Sequence, residues 1–121
     1  MPALPILLDF VAVLIFAALG RRSHEGDDGL LAVVDIAWPF LVGALVGHLL
    51  LRAVPALRRL SPARLPAGLV VWPSTVVLGM VLRQLTGDGT AWSFVAVATG
   101  VLGFAMLAWR QIATLVDRPG R

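Results

Sequence analysis

The chain has 121 residues, of which 59% are hydrophobic and 14% are charged, and its formal net charge at pH 7 is +3. Soluble domains carry about 25% charged residues, so this composition excludes a soluble globular protein. Cysteine is absent, which excludes disulfides and cysteinyl metal sites, and the excess of arginine points to anionic lipid headgroups rather than to nucleic acid.

The first apolar run covers about residues 4–20 and contains one acidic residue, Asp9. A signal peptide would carry a basic segment before its apolar core, and this run has none, so we expect a retained helix. A short carboxylate cannot extend far towards the membrane surface. Asp9 is therefore predicted to face the protein interior.

A polar loop follows, with the sequence Gly-Arg-Arg-Ser-His-Glu-Gly over residues 20–26. His24, Glu25, Asp27 and Asp28 lack the spacing of a known metal site, and the neighbouring arginines would repel a cation, so we predict no metal. Two interpretations stay open. In the first, Arg21 and Arg22 bind an anion such as a carboxylate or phosphate. In the second, the loop is a salt-bridged turn.

The second run covers about residues 30–52, with Asp35 near its start and His48 near its end. His48 is either hydrogen-bonded within the packing or a proton carrier. Gly43 and Gly47 form a small-xxx-small pair, which indicates close helix packing.

The connection over residues 55–66 contains three prolines, which prevent a long helix. Its three arginines alternate with leucines, so we expect it to lie on the inner leaflet against anionic headgroups. With four spans, seven arginines fall on the side of this loop and the termini, and three fall on the other. The positive-inside rule then places both termini in the cytoplasm.

The third and fourth runs cover about residues 67–85 and 90–116. Gly79 and Arg83 share a helix face in the third, and Gly103 and Arg110 share one in the fourth. Each arginine either pairs inside the bundle or extends its side chain to the membrane surface.

These residues sort into two polar layers. The outer layer is a candidate anion site and contains Arg21, Arg22, His24, Asp35 and Arg83. The inner layer contains Asp9, His48 and Arg110. We predict an Asp35–Arg83 contact in the outer layer and an Asp9–Arg110 or Asp9–His48 contact in the inner layer.

The predicted fold is all-α: one polytopic membrane domain over residues 1–121, a bundle of four transmembrane helices with packing seams at Gly43, Gly47, Gly79 and Gly103.

Several short motifs occur in a characteristic order: Asp9, the Gly-Arg-Arg-Ser-His segment, Ala-Trp-Pro-Phe over residues 37–40, Trp72 with Gly79 and Arg83, and Trp109-Arg110. In these motifs the whole chain resembles a prokaryotic membrane family known as domain of unknown function 3054. The resemblance implies four membrane helices without an assigned activity. It singles out for testing Gly20, Arg21, His24, Trp38, Pro39, Trp72, Arg83 and Arg110.

No nucleophile–base pair or phosphate loop is recognisable, so we predict neither an enzyme nor a cofactor. We expect passage of a small solute or ion across the prokaryotic plasma membrane. Four helices are too few to enclose a wide path, so this function requires a homo-oligomer with glycine-lined interfaces. The alternative is a non-catalytic structural or accessory subunit that contacts lipid or a partner protein.

Overall fold

The computed structural model describes residues 3–21 and 29–116, and this part of the chain is helical without strands. The α-helices are α1 (Leu4–Arg21), α2 (Leu30–Ala53), α3 (Leu65–Leu85) and α4 (Trp92–Val116), with a short 3-10 turn at Pro55–Leu57. The predicted all-α class is confirmed.

Three of the four helices, α2, α3 and α4, are long and apolar enough to cross a membrane. Their 24, 21 and 25 residues correspond to about 36, 32 and 38 Å at 1.5 Å per residue. Helix α1 has 18 residues, or about 27 Å, which is the short end of the range for a spanning helix.

Proline and glycine set the helix boundaries. Pro66 lies in the first turn of α3, where a missing amide proton costs nothing, and α3 begins two residues before the predicted position 67. Gly87 and Gly89 adopt positive φ angles of 84°, and α4 begins at Trp92 instead of residue 90.

The helices form a ring in which α1 contacts α2, α2 contacts α3, α3 contacts α4, and α4 returns to α1. The contact between α2 and α3 is the most extensive. Three phenylalanines from different helices, Phe16, Phe40 and Phe94, meet in the core with ring centroids 5.2 to 6.1 Å apart.

Glycine allows the close approach of α2 to α3. A Cβ atom at Gly43 would lie 2.8 Å from the Thr75 carbonyl oxygen, and one at Gly47 would lie 2.9 Å from the Cα atom of Val71. The hydroxyl of Ser74 donates a hydrogen bond to the Gly43 carbonyl across the same seam, at 2.8 Å.

Large apolar side chains are exposed around the outside of all four helices. Examples are Leu7, Val34, Val77 and Phe104, with exposed fractions of 55%, 51%, 58% and 77%. A water-soluble monomer rarely exposes so much continuous apolar surface, whereas lipid would cover it at no cost. The fold is that of a membrane protein.

Candidate functional site

The most unusual feature of the core is a charge cluster at the end of the bundle where α1 begins and α4 ends. Asp9 and Arg110 are fully buried, and His48 is 4% exposed. These are the three residues of the predicted inner layer, and helices α1, α2 and α4 each contribute one.

Arg110 and Asp9 form a two-pronged ion pair. The Nη1 atom donates to Oδ1 at 2.9 Å and Nη2 donates to Oδ2 at 2.7 Å. The same guanidinium also donates from Nη1 to the Met106 carbonyl at 3.1 Å and from Nε to the Pro62 carbonyl at 2.9 Å. Arg110 therefore joins α4 to α1 and to the connection between α2 and α3.

Two further side chains complete the carboxylate's hydrogen bonds. Trp109 donates from Nε1 to Oδ1 of Asp9 at 2.8 Å, and the Nε2 atom of His48 lies 2.7 Å from Oδ2. Each carboxylate oxygen thus has two partners, as a buried anion requires. Both predicted alternatives, Asp9–Arg110 and Asp9–His48, are realised at once.

His48 has one bonded and one unbonded ring nitrogen. Because Asp9 also accepts hydrogen bonds from Arg110 and Trp109, it is an ionised acceptor, and Nε2 of His48 is the donor. Nδ1 of His48 makes no hydrogen bond in the part of the chain that the structure describes.

The sequence did not identify two residues that shape this site. Trp109 was expected only as a family motif, because tryptophans at helix ends usually anchor at the lipid interface. Gly68 on α3 is buried under Arg110, and a Cβ atom there would lie 2.9 Å from Cδ of the arginine. The sequence signal for Gly68 was its position, as a glycine, in the first turn of the third predicted span.

The outer layer is not assembled as predicted. The expected Asp35–Arg83 contact is wrong for the described residues: Asp35 is exposed, and Arg83 donates to the carbonyls of Gly89 and Asp88 at 3.1 and 3.3 Å. Asp35 precedes Gly43 by eight residues on α2. At about 100° per residue, its side chain lies about 80° around the helix axis from the face that Gly43 presents to α3.

The side chains of the remaining predicted outer residues lie outside the described part of the chain. Arg21 ends α1, but its side chain lies outside the described part of the chain, as do Arg22 and His24. The metal ligands considered in this loop, His24, Glu25, Asp27 and Asp28, fall there too. Residues 3–21 and 29–116 contain no group of three or more histidines, cysteines or acids suited to a metal ion.

The four predicted packing glycines all lie inside the chain's own helix seams. Gly43 and Gly47 face α3, Gly79 of α3 faces Phe40 of α2, and Gly103 of α4 faces Trp72 of α3. A Cβ atom at Gly103 would lie 2.6 Å from the Trp72 ring. These glycines are used within one subunit, so a homo-oligomer must use other surfaces.

An apolar cavity of about 430 Å³ lies beside the cluster, between the start of α1 and the end of α4. Trp109 lines it, together with Leu8, Ile112 and other apolar residues. Asp9, His48 and Arg110 are not among its lining residues. The charge cluster is closed to this cavity in the observed conformation.

The chain matches a known protein family. A family model described as Protein of unknown function (DUF3054) matches residues 6–113, which include every member of the charge cluster. No curated protein and no solved structure matches the chain.

Proposed function

We propose that this chain, which belongs to the family described as Protein of unknown function (DUF3054), carries a small solute or ion across the membrane. We propose further that this transport is coupled to protonation of His48. The observation that carries the proposal is the buried Asp9–Arg110–His48 cluster, with Nδ1 of the histidine unbonded. Ionisable residues inside a membrane bundle are costly, and they are typical of proton and ion pathways.

The cost of the cluster supports a functional role. A buried ion pair of this kind adds little stability, because well-packed apolar residues of similar volume are often neutral or stabilising in its place. If the ion pair served only to hold the helices together, apolar side chains would do so in lipid at a lower cost in free energy.

The proposed cycle requires opening of the cluster. Protonation at Nδ1 would place a second positive charge against the Asp9 carboxylate in competition with Arg110, and the repulsion between the two cations would favour separation of α4 from Asp9. Because the cluster is closed in the present conformation, this conformation corresponds to an occluded state. The path itself would form in a homo-oligomer.

We further propose that the protein lies in a prokaryotic plasma membrane with both termini and the 55–66 loop in the cytoplasm. The support is the excess of seven arginines over three on that side. The exposed Arg58, Arg59 and Arg64 would then meet the anionic inner leaflet.

A second candidate function is a non-catalytic structural or accessory subunit. The saturation of Asp9, which accepts four hydrogen bonds from three residues, favours it, because a saturated cluster fixes helix register without moving. In that case the exposed arginine loop and apolar faces would contact lipid or a partner protein.

Replacing His48 with glutamine separates the two functions. The glutamine amide can still donate to Asp9, but it cannot take up a proton at physiological pH. Proteoliposomes loaded with a pH-sensitive dye would be given gradients of sodium chloride, potassium phosphate or sodium glutamate, and the change of internal pH would be recorded. We expect wild type to exceed protein-free vesicles for one of these probes, and His48→Gln to fall to the protein-free rate with an unchanged melting temperature.

Wild-type pH changes in His48→Gln would contradict the role of the histidine. Absence of flux for all three probes, in a protein that stays monomeric in lipid, would favour the structural alternative. An exposed position outside the 55–66 loop, Arg52→Gln, serves as the matched control and should leave flux unchanged.

A further inference from the structure

We propose that the seam between α1 and α4, at the end opposite to the charge cluster, is a binding site for one anionic phospholipid, with its phosphate on Arg83 and an acyl chain between the helices. This site does not involve Asp9, His48 or Arg110, and it requires only that the protein is embedded in a membrane.

The seam contains a cavity of about 510 Å³. Its walls are apolar: Phe16 and Leu19 come from α1, and Phe94, Val97 and Val101 come from α4. The span from Phe94 to Val101 corresponds to about 10 Å along the helix axis. The cavity is therefore an elongated groove that runs from the helix ends towards the middle of the bundle.

The groove opens to the side of the bundle. Leu19 and Val97, on its two sides, are 50% and 54% exposed, so they stand where the acyl chains of a bilayer would surround the protein. A water-soluble solute has no advantage in such a groove, whereas an acyl chain entering from the bilayer replaces one apolar environment with another.

A positive charge lies at the head of the groove. The Arg83 guanidinium is held by the Gly89 and Asp88 carbonyls and lies 4.1 Å from the centroid of the Phe94 ring. Backbone carbonyls and an aromatic ring orient the charge without neutralising it. Within the described residues no carboxylate forms an ion pair with Arg83.

The charge complementarity favours an anion of limited size. Nη1 of Arg83 makes no hydrogen bond with the described residues, and guanidinium groups bind phosphate oxygens in a planar, two-pronged manner. The Asp88 side chain is also at the rim and is exposed. It opposes a headgroup of high negative charge, so a phospholipid with a single negative charge suits the site best.

The test measures lipid binding by native mass spectrometry of the full chain released from micelles, with phosphatidylglycerol and phosphatidylcholine as the probes. We expect wild type to bind one phosphatidylglycerol about tenfold more tightly than phosphatidylcholine, since the choline cation of phosphatidylcholine competes with Arg83 for the phosphate and a hydrogen-bonded charge contact is worth about one order of magnitude in affinity. Arg83→Gln should abolish this preference.

A second variant tests the groove without altering the charge. Val97→Trp should fill the acyl position and weaken binding of both lipids, whereas Val77→Trp, at an exposed position of α3 outside the groove, should not. Arg52→Gln, at an exposed position outside both the groove and the 55–66 loop, is the matched charge control. Equal binding of the two lipids by wild type, an unchanged preference in Arg83→Gln, or unchanged binding by a folded Val97→Trp variant would each overturn the proposal.

Discussion

Asp9 and Arg110 neutralise each other where water has no access, and the free energy of each side chain depends on the other. Removing one partner leaves an uncompensated buried charge, whereas removing both leaves two polar groups that are far cheaper to bury. The two substitutions should therefore be strongly non-additive.

At this scale we predict that Asp9→Asn and Arg110→Gln each lower the unfolding free energy by about 3–5 kcal/mol. The double variant should lose less than the sum of the two single losses. The measurement is denaturant unfolding in mixed micelles, with the exposed Arg52→Gln as a control that changes stability by less than about 0.5 kcal/mol. Additive losses, or single losses within the control's range, would contradict the ion pair.

At the scale of the elements, the α2–α3 seam is where the backbones approach most closely. Alanine is a better helix former than glycine by about 1 kcal/mol, so the sign of a glycine-to-alanine change depends on the space that the new methyl group meets. Gly43 and Gly100 provide the comparison: Gly43 faces the Thr75 backbone, and a Cβ atom at Gly100 would have no neighbour within 4 Å.

We expect Gly43→Ala to lower the unfolding free energy by about 1–3 kcal/mol, because α2 and α3 must move apart. Gly100→Ala should leave the unfolding free energy unchanged or raise it by up to about 1 kcal/mol. The same micelle unfolding assay measures both. Equal changes of the unfolding free energy in the two variants would contradict the close approach of α2 to α3.

At the scale of the whole molecule, the short α1 decides the topology. If α1 and α2 both cross, residue 3 and residue 61 lie on one side of the membrane and residue 88 lies on the other. The natural chain has no cysteine, so a single introduced thiol reports one position without background.

We predict that an impermeant thiol reagent added to intact spheroplasts labels Asp88→Cys and leaves Ala3→Cys and Ser61→Cys unlabelled. Labelling in inside-out vesicles should show the reverse. If Ala3→Cys were labelled together with Asp88→Cys, α1 and α2 would not both cross. If Ser61→Cys were labelled from outside, the orientation would be inverted.

The sequence predicts the helices well, because each is a continuous apolar run ended by glycine, proline or charge. It also predicts which residues face inward, so Asp9, His48 and Arg110 could be grouped. It could not show that all three meet, since helical periodicity gives a direction around each axis but not which helices are neighbours. The Asp35–Arg83 prediction was wrong for the same reason, because helical periodicity does not say which residues of other helices lie next to Asp35. In the structure, Arg83 instead donates to two carbonyls of the turn between α3 and α4.

The hydrogen bond from Arg110 to the Pro62 carbonyl has a consequence for communication across the bundle. One guanidinium holds both a core carboxylate and a surface loop, so a movement of the Arg110 side chain out of the cluster would release both. Linkage is reciprocal, so a ligand that favoured this movement by drawing the loop away from α4 would itself bind more tightly when the ion pair is absent. Arg58 and Arg59 lie on this loop, so a ligand that moved them would act on the buried carboxylate through Arg110.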